Sequence, residues 1–163
     1  MATVSVSFSA LPAHVRTARL IAVAVARRAG VDEGLLDEVR LAVGEACSRA
    51  VELHQRHVAD TPVSLTLVDE QDRFTVEVTD TAPPDTDLTD PADLGELDPV
   101  ELTAPAPREP GDEPLADLLP AGFGLAVITG LVDDLDVVRD DAGTHIRMTW
   151  PAHDIMAPET QRS

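Results

Sequence analysis

Glu45 and Arg49 stand four residues apart in Asp37–Leu53 (DEVRLAVGEACSRAVEL), whose apolar residues recur at three- and four-residue steps. That period predicts a helix, and on a helix the two charges lie one turn apart and can touch. Glu45 is a candidate proton acceptor. A Glu-to-Arg pair of this spacing also serves as ordinary surface decoration, worth a few tenths of a kcal/mol (about 0.2–0.5). Asp80 closes an alternating stretch and offers an acceptor for a ligand amino group, or a turn-former. Gly122-Phe123-Gly124-Leu125 opens an apolar run. Two such glycines before a helix let backbone N–H groups approach an anion, or simply make a tight turn. His54 and His57 have the spacing of metal ligands but no further His or Cys nearby, so no metal site is expected. Cys47, the only cysteine, lies beside the apolar face and reads as a buried, inert thiol.

These residues need a frame. Thr3–Phe8 alternates as a half-buried strand, and Pro12 opens a helix that runs to Ala29 and stops at Gly30. Asp32 is the expected N-cap for the helix carrying Glu45 and Arg49, which should end near His54. Residues 62–68 and 73–79 alternate as an antiparallel hairpin with one wet face. Between Thr81 and Pro120 the texture changes: nine prolines, many acids and Arg108 as the only base. This stretch is expected to be a long charged loop, a lid or an insertion. Leu115, Leu118 and Leu119 give it one short helical turn. A helix over 125–132, strands at 135–138 and 144–150 and a frayed tail over 151–163 complete the reading.

With 163 residues the chain suits one domain with one core, spanning 1–150. The net charge of −18 disfavours nucleic acid and anionic membranes, and fits a partner with a basic surface or plain solubility. The arginines at 16, 19, 27 and 28 form either a solvated helix face or a docking patch for an acidic partner. A lone cysteine, the lack of a signal-peptide layout and the shortness of the longest apolar run lead to the expectation of a cytoplasmic protein.

The order of these features resembles the anti-sigma-factor serine/threonine kinases of the GHKL ATPase superfamily. The residues that carry it are Glu-Ala-Cys-Ser-x-Ala-Val in the second helix, a hairpin ending in Asp80, the lid and Gly-Phe-Gly-Leu. Leu-Val-Asp-Asp and Gly143-Thr144-x-Ile-Arg follow. The resemblance spans about Phe8 to Trp150. It implies the Bergerat fold, an α/β two-layer sandwich with a mixed, largely antiparallel sheet and helices on one face, with ATP between helices and lid. It gives Glu45 the role of the base that orients or deprotonates an attacking hydroxyl. Asp80 would accept from the adenine amino group. Gly122, Gly124 and Leu125 would surround the phosphates, and Thr144 would help fix adenine. Ala82 and Pro84 fall where the family often has glycines. Arg49 falls where the family has an asparagine that holds Mg²⁺, and arginine has only donors. It is expected to pair with Glu45, and then either to contact ATP phosphates in place of Mg²⁺ or to close the site.

Three readings follow. The first, preferred, is a regulator that binds a sigma factor and an anti-anti-sigma (STAS) antagonist, with weak or lost phosphoryl transfer. The second is an active kinase acting on that antagonist, and the third an acidic protein-binding scaffold that uses no nucleotide. The resemblance also allows a homodimer through the sheet edge.

Overall fold

A computed structural model describes residues 1–83 and 128–153. The expected lid, the helical turn near residue 118, Pro84, the Gly122–Leu125 box and the tail beyond His153 lie outside the described residues.

Strand β1 (Ala2–Phe8) leads into α1 (Pro12–Arg28), whose first turn holds Pro12, where a missing N–H costs nothing. Gly30, at φ +88°, reverses the chain in the left-handed region, and a Cβ there would overlap the His153 carbonyl. Asp32 caps a short 3₁₀ turn by accepting from Gly34 N at 2.8 Å, and α2 (Leu36–His57) follows, one turn longer than its apolar pattern announces. The hairpin is β2 (Val63–Asp69) and β3 (Arg73–Asp80), closed between Glu70 and Arg73. Strands β4 (Asp134–Asp140) and β5 (Gly143–Pro151) form a second hairpin.

The five described strands make one sheet in the order β1-β2-β3-β5-β4, and each pairing is antiparallel. The register aligns residues of like character. One row runs Val6–Leu65–Val78–Ile146–Val137 and the next Val4–Leu67–Val76–Met148–Leu135. Because side chains alternate along a strand, these rows share one face, and α1 and α2 cover it. The other face carries Thr66, Glu77, Arg147 and Thr149 and meets water. This is the two-layer arrangement of a GHKL-type fold.

The centre of the core is Phe74 against Trp150, ring centroids 6.3 Å apart and tilted, with the Trp150 indole N–H donating to the Leu131 carbonyl at 2.9 Å. Each such fully buried side chain contributes roughly 1.5–3 kcal/mol. Helix α2 is buried at every position from Ala42 to Cys47, not along a single stripe. The sheet covers one side and α1 the other, so side chains on α2 point into protein. The polar residues that α2 holds there bear directly on function.

Candidate functional site

Asp80 is the last residue of β3, in register with Thr144 near the start of β5, and Arg139 on β4 faces Thr144 in turn. Asp80 and Thr144 are buried on the helix-covered face, where the strands above and below carry Val78 and Ile146. A charged residue at a core position is costly unless paired. Its partner comes from α2: Arg49 Nη1 stands 3.9 Å from Asp80 Oδ2, and their side chains are only 12% and 3% exposed.

This ion pair is incomplete. At 3.9 Å it is too long for a hydrogen bond. Arg49 Nη1 and Asp80 Oδ1 are both buried without a hydrogen-bond partner. Burial raises the Asp80 pKa above the usual carboxylate range. Opposing that rise are the Arg49 charge, His54 and backbone hydrogen bonds from Ala82 and Thr144. Burial likewise lowers the Arg49 pKa, against the attraction of Asp80, and the nearby Arg139 guanidinium pushes it further down. The two charges are held together without satisfying each other. An exocyclic amine would give Asp80 Oδ1 the donor it lacks.

The strand end is fixed from two sides. Gly143, at φ +135°, packs on the Asp80 carbonyl so closely that a Cβ would overlap it. His54, fully buried at the end of α2, spans the gap to the chain beyond Asp80. Its Nε2 accepts from Thr81 N–H at 3.0 Å, and its Nδ1 lies 2.7 Å from the Thr61 carbonyl. An accepting Nε2 assigns the proton to Nδ1, which donates to Thr61. Ala82, two residues past Asp80, is itself buried. Sequence reading considered His54 only as a metal ligand. The signal for its true place was periodicity, since it continues the buried series Val43, Cys47, Ala50 and Val51.

Glu45 is also buried, one turn before Arg49 on α2. The sequence spacing led to an Arg49–Glu45 pair; the structure gives Arg49 an ion pair with Asp80, on another element. Cys47 is fully buried, and loss of water pushes its thiol up to about 12, which leaves it inert. Gly44 gives room to the Arg19 guanidinium, since a Cβ there would overlap it.

Arg49 does not fit the part of a Mg²⁺ ligand. Arg49 occupies the position from which the resemblance expects a metal ligand, and a guanidinium has no lone pair to give. Among the described residues no group of three His, Cys, Asp or Glu side chains could hold a metal ion. Nor, among them, is any helix long and apolar enough to cross a membrane.

The family model described as the histidine kinase-like ATPase domain matches residues 8–150. The chain belongs to that family. Among solved structures it is similar to the RsbU and RsbW domains of Rv1364c from Mycobacterium tuberculosis, with 15% identity and a TM-score of 0.58. That match covers 96% of this chain but 35% of the other, so this chain spans about a third of the length of that solved chain. No curated protein matches it. The resemblance read from the motifs is upheld at the level of the GHKL fold and family, on the same stretch of chain.

Proposed function

We propose that this chain is an anti-sigma regulator built on a histidine kinase-like ATPase domain, in a single domain over 1–150 followed by a tail. It binds a sigma factor and is released by an anti-anti-sigma (STAS) antagonist, with nucleotide held in the cleft at Asp80 and phosphoryl transfer weak or lost. The observation that carries the reading is Arg49 seated against Asp80 inside a family match that runs from 8 to 150. The acidic surface, −18 overall, suits masking a basic partner face. The RsbU and RsbW domains name the kind of protein whose fold this chain shares. In this reading Thr144 and Ala82 border the base, Gly122, Gly124 and Leu125 serve the phosphates, and the protein works in the cytoplasm, alone or as a homodimer.

The test is affinity capture on the full chain from the cell that encodes it, with bound proteins identified by mass spectrometry. Recovery of a sigma factor, displaced when a co-purified STAS protein is added back, is the expected result. Recovery of neither class overturns the reading. A second reading, an active serine kinase, draws on buried Glu45 as base. It requires ³²P transfer from ATP to the STAS protein by the unaltered chain. Transfer that appears only in Arg49→Asn favours the first reading.

A further inference from the structure

The row that ends the sheet, Asp80–Thr144–Arg139, lies on the helix-covered face, where Thr144 is buried. Cross-strand partners point the same way, so Arg139 projects on the side from which Arg49 arrives. The two guanidinium groups are close enough for one charge to act on the other. Like charges are not brought together without cost, and the one described ion-pair acceptor of Arg49 there is Asp80, whose contact is too long to be a hydrogen bond. In a chain with 12 basic and 30 acidic residues, two arginines converging beside a buried carboxylate need an account.

We infer that Arg49 and Arg139 form a two-arginine clamp for the phosphates of a nucleoside triphosphate, which binds here without Mg²⁺. The inference rests on the reading that the cleft takes a nucleotide, and adds how its charge is neutralised. A triphosphate brings acceptors to the orphaned Arg49 Nη1, and its base brings an amine to the orphaned Asp80 Oδ1. Each buried atom gains the partner it lacks, and the arginines gain an anion between them. Guanidinium forks match phosphate oxygens with two parallel hydrogen bonds, and they stay charged on partial burial. Divalent metal then competes with the clamp for the same oxygens instead of assisting it.

The test is calorimetric titration of the full chain with ATP, once in EDTA and once with excess Mg²⁺. Binding in EDTA that is as tight as, or tighter than, binding with Mg²⁺ is expected. Arg49→Ala and Arg139→Ala should each weaken metal-free binding about tenfold, and Arg49→Lys less. Arg139 is exposed, so its variant should fold normally and keep the test readable if Arg49→Ala does not. Arg49→Asn should turn metal-free binding into metal-dependent binding. The inference is overturned if Mg²⁺ tightens wild-type binding tenfold or more. It is also overturned if Arg139→Ala leaves metal-free affinity unchanged, or if wild type binds no ATP in either condition. Exchange of sigma factor for antagonist is measured without nucleotide chemistry, so failure here leaves the regulator reading standing, and failure there leaves this one.

Discussion

The two faces of the sheet each carry an arginine–carboxylate pair, and they are built in opposite ways. On the wet face Arg147 grips Glu77 across the strands, with contacts of 2.8 and 3.1 Å to one oxygen. The same face holds His145, one row along, 3.8 Å from Glu77 and, on its other side, from Asp140. Those hydrogen bonds raise the Arg147 pKa. On the covered face Arg49 stands 3.9 Å from Asp80 with no hydrogen bond, although both side chains are almost sealed from water. Strength of contact and cost of burial thus run against each other. Where water screens the charges the pair is tight and of small energetic consequence. Where burial makes every unmet hydrogen bond expensive, the pair is loose. A loose buried pair is poor stabilisation, and an arrangement that a ligand with one donor and several acceptors would complete.

The largest expected effect falls on the residue that holds the covered site in shape. His54→Ala removes the bridge between Thr61 and Thr81 and leaves a cavity, a buried N–H and a carbonyl without partners. A loss of about 3–4 kcal/mol in urea unfolding is expected. A loss near zero would mean that the Asp80 end of β3 is held by other contacts.

Next comes the pair itself. Arg49→Met leaves the Asp80 carboxylate buried without its cation, and Asp80→Asn leaves the cation without its acid. Each should cost about 3 kcal/mol. The double variant should recover most of that and unfold within about 1 kcal/mol of wild type, because a buried ion pair is replaceable by neutral groups. Strict additivity of the two losses would show that the side chains do not interact. The smallest effect belongs to the wet face. Glu77→Gln should cost about 0.5 kcal/mol, and less in high salt, since that pair is screened.

The strands were legible because one face of the sheet meets water. Val63, Leu65 and Leu67 alternate with Ser64 and Thr66, and the register repeats the pattern on β3 and β5. Helix α1 was legible from Pro12 and its stop at Gly30, and α2 from its apolar period, though it runs on past His54 to His57. The Arg49–Asp80 contact was not, because helix spacing reports only neighbours on the same helix, and it pointed to Glu45. Which strand end lies under Arg49 depends on how α2 crosses the sheet. Arg139 was missed for the same reason: its place follows from a pairing with Thr144 that no local pattern encodes. His54 was weighed only as a metal ligand and set aside as one, and its place in the buried series, where it bridges Thr61 and Thr81, went unread. The glycine box at 122–125, central to the sequence reading, lies outside the described residues.

Burial raises the Asp80 pKa in the folded protein, so the folded state holds that proton more tightly than the unfolded chain does. Its contribution to stability is therefore present below the unfolded-state pKa and is lost as pH rises through the folded one. The direct test is a pH titration of the Asp80 carboxyl by ¹³C NMR, in wild type and in Arg49→Met. The account predicts a pKa above the usual carboxylate range in wild type and a further rise when the guanidinium is removed. An ordinary value, indifferent to residue 49, would contradict a buried pair at the heart of the site.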